Sequence, residues 1–216
     1  MKTDQFEQLV EKATLEAKVL IERQKRFSEP FRNRFEHTKR VLAWARRIQA
    51  IEGGDIEIIT LSVIFHDAGW DGQVDHALLG AELARNFLVE QGVEVDIVNR
   101  VASAIETHNK RQNLSTNLPL ENLIVMDADR LDELGVTSLV WDAMAIALED
   151  APSFKKTLNR GQQFFTSAKE AMQFIHTKTG LKFYAERIKV WEQCLNQLRY
   201  ELGESDIVDP ILPALD

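Results

Sequence analysis

Ile56-Glu-Ile-Ile-Thr-Leu-Ser-Val-Ile-Phe-His-Asp-Ala-Gly69 is the stretch on which the reading of the chain turns. From Ile56 to Phe65 it is β-branched and apolar, which suits a buried strand as well as a buried helix. It then runs into the polar pair His66-Asp67 and stops at Gly69, as a buried helix does on reaching its C-terminal end. Asp55, just ahead of it, is placed to cap such a helix, and Asp75 to cap the next one. The neighbouring segments agree with the helical reading. Phe6, Leu9, Val10, Ala13, Ala17 and Leu20 step by three or four. So do Val41, Trp44, Ala45 and Ile48, then Leu79, Leu83 and Phe87, then Ile97, Val101 and Ile105. Breaks fall at Ser28-Glu29-Pro30, Gly53-Gly54, Gly69 to Gly72, Gly92, Asn109 to Pro119, Gly135, Ala151-Pro152 and Gly180. The expectation is an all-α bundle of about eight or nine helices with no significant sheet.

Composition sets the outer bounds. The 216 residues, 44% of them apolar, fit one domain spanning 1–216, with its weakest seam at Ala151-Pro152. The 26 Lys and Arg are outnumbered by 34 Asp and Glu, for a net charge of −8, which argues against a nucleic-acid polymer as partner. The single cysteine, Cys194, excludes an internal disulfide and any CxxC site. The opening residues Met-Lys-Thr-Asp-Gln-Phe-Glu lack the apolar core of a signal peptide. Apolar runs stay far below the roughly 20 residues that span a bilayer. A soluble, cytoplasmic protein without a membrane partner is expected, and a homodimer through the amphipathic first helix is allowed. Charge is uneven: Lys18 to Arg47 holds ten basic and three acidic residues, and Leu120 to Asp150 holds eight acidic residues and one basic, Arg130. Most of these belong to solvated helix faces. The alternative is an acidic cluster that holds a cation near a basic segment facing phosphate.

Four of the five histidines stand at the ends of apolar stripes. His37 precedes Val41 by one turn, His66 follows Ile59 and Val63, His76 opens the stripe through Leu79, and His108 closes the one through Ile105. One such histidine is ordinarily a hydrogen-bonded core residue. Four at the ends of successive helices point to a metal site at one end of a bundle. His176 lies outside the pattern and is read as structural or exposed. Carboxylates join the histidines: Asp67 directly follows His66, and Asp129 and Asp132 share a stripe with Val125 and Val136. Buried aspartate is rare unless it is paired or bound to metal.

The order His37, His66-Asp67, Asp129 resembles the HD superfamily of metal-dependent phosphohydrolases, an all-helical family. The wider phrases Phe65-His-Asp-Ala-Gly, His76-Ala-Leu-Leu-Gly-Ala-Glu-Leu-Ala, Ile105-Glu-Thr-His and Asp127-Ala-Asp-Arg-Leu-Asp-Glu-Leu-Gly are similar to the small bacterial HD hydrolases, some of them nucleotide pyrophosphatases. The likeness covers about residues 33–150. It implies metal ligation by His37, His66, Asp67 and Asp129. Such a mixed nitrogen and oxygen set suits Mn²⁺, Fe, Co²⁺ or Ni²⁺, with Mg²⁺ or Zn²⁺ as further options. It also implies hydrolysis of a phosphoester or phosphoanhydride, most plausibly on a nucleotide, by attack of metal-bound water. His76 and His108 match positions that bind a second metal in some relatives and touch phosphate in others; one metal, with both histidines on phosphate, is the favoured reading. Asp71 and Asp75 are candidates for acid–base work, with a turn residue and an N-cap as their plain alternatives. Arg130, ahead of Lys39 and Arg40, is the candidate for neutralising phosphate charge. The competing reading is a non-catalytic module of the same fold that binds a nucleotide or metal.

Overall fold

The computed structural model describes residues 3–24, 34–70, 74–110 and 117–204. Among these residues there are nine α-helices, one short 3-10 turn and no strand. The helices are α1 (Thr3–Glu22), α2 (Arg34–Glu52), α3 (Ile56–Phe65), α4 (His76–Glu90), α5 (Val95–Thr107), α6 (Leu120–Asp132), α7 (Val136–Ala147), α8 (Phe154–Ala171) and α9 (Lys178–Glu201). The all-α expectation holds. No helix among the described residues is long and apolar enough to cross a membrane.

The chain divides into two compact units. The first joins Met1–Asp132 to Gln173–Tyr184, and the second joins Glu133–Met172 to Ala185–Asp216.

At the heart of the first unit is α3. Every residue from Ile58 to Phe65 is buried, which is why its sequence is apolar all round rather than striped. Asp55 caps it, accepting from the Glu57 and Ile58 backbone N–H groups at 3.0 and 3.4 Å. Around α3 pack Leu9, Ala13 and Ala17 of α1, Ala81, Ala84 and Leu88 of α4, and Val98, Val101, Ala102 and Ile105 of α5.

On α4 the buried face differs from the expected one. Leu79, Leu83 and Phe87 are only half-buried, while Ala77, Gly80, Ala81, Ala84 and Leu88 face the core. Small residues win because α4 sits unusually close to the end of α3. A Cβ on Gly69 would overlap the Gly80 backbone nitrogen and stand 2.5 Å from the His76 carbonyl oxygen. One on Gly80 would stand 3.1 Å from the Phe65 carbonyl oxygen. Glycine at both positions lets backbone meet backbone where His66-Asp67 and His76 must come together.

The first unit also holds the start of α9. Thr177 caps it, its hydroxyl oxygen accepting from the Gly180 N–H at 2.9 Å. Buried Asp127 reaches across from α6 to accept from the His176 N–H at 3.0 Å and from the Thr177 N–H and hydroxyl, each at 2.7 Å. The Glu52 carboxylate at the end of α2 accepts from the Thr179 N–H at 2.6 Å. His176 is exposed, as expected.

In the second unit α7 packs on α8. Buried Asp142 accepts from Arg160 Nε at 2.8 Å, and the Arg160 guanidinium lies over the Trp141 and Phe164 rings. Phe165 meets Trp191 edge-on at 5.7 Å.

Candidate metal centre

All four singled-out histidines converge in the first unit. His37 comes from the first turn of α2, His66 and His108 from the C-terminal caps of α3 and α5, and His76 from the first residue of α4. Two groups of ligand atoms form, His37–His66–Asp129 and Asp67–His76–His108, each within 4.8 Å. Asp67 links them. Its Oδ2 lies 3.8 Å from His37 Nε2 and 3.9 Å from His66 Nε2, and its Oδ1 lies 3.7 Å from His76 Nε2. The turn bearing Asp67 is pinned from just beyond α1, where Gln24 Nε2 donates to the Asp67 and Ala68 carbonyls at 2.8 and 3.3 Å.

The hydrogen bonds fix where the ring hydrogens lie in the first group. His66 Nδ1 donates to the Val63 carbonyl at 2.7 Å, and His37 Nδ1 donates to Asp132 Oδ2 at 2.7 Å. Both Nε2 atoms therefore present lone pairs, and they face each other at 3.2 Å. Asp129 Oδ1 stands 3.0 Å from His37 Nε2 and 3.7 Å from His66 Nε2. That oxygen is buried and receives no hydrogen bond of acceptable geometry. Three electron-rich atoms turned toward one another inside a protein make a site that a cation can fill. Ligands about 2.1 Å from a common ion lie about 3.0 Å apart on adjacent octahedral corners, the spacing these atoms approach. The donor set fits a divalent metal.

The second group differs. His108 Nδ1 donates to the Ile105 carbonyl at 2.6 Å, so its Nε2 also carries a lone pair. His76 Nε2, 3.1 Å away, can supply a hydrogen and complete that contact without an ion. His76 is also the most open of the four, its side chain 27% exposed against 0% for His66.

Electrostatics follow from burial and neighbours. Burial pushes His108 down to about 4, with His66 adding to the effect, so its ring is neutral near pH 7. Burial and Arg34 would lower His37, but the Asp129 and Asp132 carboxylates outweigh them and raise it. Burial would raise Asp129, yet His37 and His66 hold it well below the usual carboxylate range.

The remaining expectations divide. Asp75 caps α4, accepting from the Ala77 N–H at 3.0 Å and from Asn109 Nδ2 at 2.8 Å. Burial would raise it, but those bonds prevail and keep it below its ordinary range. Asp71 lies outside the described residues. Arg130 is buried, with its guanidinium 5.9 Å over the Phe174 ring. Lys39 pairs with Glu36 at 2.7 Å and Arg40 with Asp132 at 2.8 Å. Two site neighbours were missed by the sequence reading as functional residues. Arg34 lies 2.5 Å from Asp67 Oδ2, and Asp132 holds His37. Their signal was helical spacing, three residues before His37 and three after Asp129.

An all-α bundle with paired histidines and aspartates at one end defines a class of metal-centred helical domains. Residues 34–134 match the model of the HD domain, and that segment of the chain is an HD domain. No curated protein matches it by sequence. Solved structures share the fold. An HD-superfamily hydrolase from Bacillus thuringiensis is 22% identical with a TM-score of 0.69, over 93% of this chain and 100% of that one. YpgQ of Bacillus subtilis, solved in complex with ADP, is 20% identical with a TM-score of 0.68, over 91% and 96%. A protein described as a predicted HD superfamily hydrolase from an uncultured Thermotogales bacterium is 24% identical with a TM-score of 0.63, over 89% and 92%.

Proposed function

We propose that this chain hydrolyses a phosphoester or phosphoanhydride bond of a nucleotide with the help of one divalent cation. The observation that carries the reading is the meeting of the His37 and His66 lone pairs with Asp129 Oδ1 in a buried space. Complexation of YpgQ with ADP supports a nucleotide as the substrate class.

His37, His66, Asp67 and Asp129 would hold the cation, for which the mixed donor set favours Mn²⁺, Fe, Co²⁺ or Ni²⁺. Such an ion lowers the pKa of a coordinated water and polarises a phosphoryl oxygen. The chain's own residues supply the rest. His76, open to solvent, would transfer its Nε2 hydrogen bond from neutral His108 to a phosphate oxygen. Arg34 joins Arg130 as a candidate for phosphate charge, since its guanidinium already lies against a carboxylate of the centre. Asp75, ionised near neutral pH and adjacent to His76, suits a base rather than an acid; Asp71 is the alternative in the same connection.

The test is metal analysis of the purified chain with a nucleotide-hydrolysis screen under Mn²⁺, Co²⁺, Ni²⁺ and Mg²⁺, repeated on His66→Ala and Asp67→Ala. The expected outcome is about one metal per chain, metal-dependent phosphate or pyrophosphate release, and loss of both properties in the two variants. Undiminished turnover in both variants would refute the proposal. Metal and nucleotide binding without turnover would favour the non-catalytic module.

A further inference from the structure

The imidazoles of the centre are not all held alike. His66 and His108 end helices, and each gives its Nδ1 hydrogen to a carbonyl one turn back, a neutral acceptor. His37 lies inside α2, where the Arg34 carbonyl three residues back already accepts from the Thr38 hydroxyl at 3.0 Å. Its Nδ1 turns instead to a carboxylate on another helix, Asp132 Oδ2 on α6. Asp132 is 6% exposed, so its charge is not dispersed into water. Arg40 grips both of its oxygens, Nε to Oδ1 at 2.8 Å and Nη2 to Oδ2 at 2.9 Å. Arg40 follows His37 by three residues on α2, and Asp132 follows Asp129 by three on α6. The two helices thus carry a supporting tier one turn from the ligand tier.

We propose that Asp132 is a positioning residue that selects the Nδ1–H tautomer of His37 and makes His37 Nε2 the strongest imidazole donor of the centre, with Arg40 locking Asp132 in place. The proposal rests on the reading of His37 as a cation ligand. An anionic partner polarises the Nδ1–H bond more than a carbonyl does and pushes electron density onto Nε2. In Asp132→Asn the charge is lost while Arg40, whose Nε and Nη2 both reach Oδ2 at 3.1 and 2.9 Å, keeps an oxygen facing His37. A neutral oxygen still accepts the Nδ1 hydrogen but pushes less electron density onto Nε2, which then binds a cation more weakly.

Two measurements test this on the full chain. The first is Mn²⁺ titration followed by the free-ion electron paramagnetic resonance signal, with circular dichroism to establish folding. The second is a long-range proton–nitrogen spectrum of the histidine rings at pH 8 in chelator. The wild type should show His37 with its hydrogen on Nδ1. Asp132→Asn should weaken Mn²⁺ binding by about tenfold to a hundredfold, and Arg40→Met should weaken it less. A wild-type ring with its hydrogen on Nε2, or folded Asp132→Asn binding Mn²⁺ within twofold of wild type, would overturn the proposal. If Asp132→Asn does not fold, the wild-type spectrum and Arg40→Met decide. Mn²⁺ binding that Asp132→Asn weakens, in a chain that turns over no nucleotide, would sink the proposed reaction and support this inference. Turnover with Mn²⁺ affinity unchanged in Asp132→Asn would do the reverse.

Discussion

At the scale of single residues, carboxylates in this protein do three kinds of work: they face the metal centre, hold a ligand, or cap a helix. Glu52 illustrates the last. The N–H and hydroxyl of Thr179 hold its carboxyl below the usual glutamate range. A folded-state pKa below the unfolded one contributes stability that is complete above the unfolded value, about 4.3, and fades as pH falls through the folded value. Glu52→Ala should therefore cost about 1 kcal/mol at pH 7, the scale of a lost cap, and thermal melts should show the gap to wild type closing below about pH 4. A gap that persists unchanged to pH 3 would count against the assignment. The sequence displayed His37, His66, Asp67, His76, His108 and Asp129 because imidazoles at helix ends and carboxylates on apolar stripes conflict with simple burial. It did not display Asp132 in its holding role. An aspartate at that spacing reads equally well as a ligand, a cap or a solvated charge until the ring it touches is known.

At the scale of elements, the position of α4 decides whether His76 joins the group. Stripe spacing gave its helical nature and missed its buried face, because the large residues Leu79, Leu83 and Phe87 outweigh alanine and glycine in any hydrophobic pattern. Close backbone approach reverses that order, and no single-helix pattern records how near a neighbour comes. Gly69→Ala should push α4 from the end of α3 and destabilise the fold by about 1–3 kcal/mol, as overpacking does. Since His76 opens α4 while His37, His66 and Asp129 do not lie on it, turnover should fall more than Mn²⁺ affinity. Equal losses of both would show instead that the whole centre had moved.

At the scale of the whole molecule, the all-helical class was legible throughout, because strand periodicity appears nowhere at useful length. The division into units was not, since it depends on which helices touch rather than on where the chain breaks. All six site residues belong to the first unit, and the proposed ligands come from α2, from the end of α3 and from α6. A cation held there ties those elements together and favours the folded state by mass action. Mn²⁺ at a hundred times its Kd should add about 2.7 kcal/mol of stability, which a chelator removes. Melts that chelator and Mn²⁺ leave identical would argue against ligation. The two histidines that cap α3 and α5 carry one more implication. Each helix brings the negative end of its macrodipole to the same spot, beside two carboxylates. α4 brings its positive end to His76 on the other side of Asp67, so the field is anionic around the proposed cation site and favourable to an anion at His76. On the proposed function, cation and phosphate are then drawn to opposite sides of one carboxylate, a separation written into the directions in which three helices run.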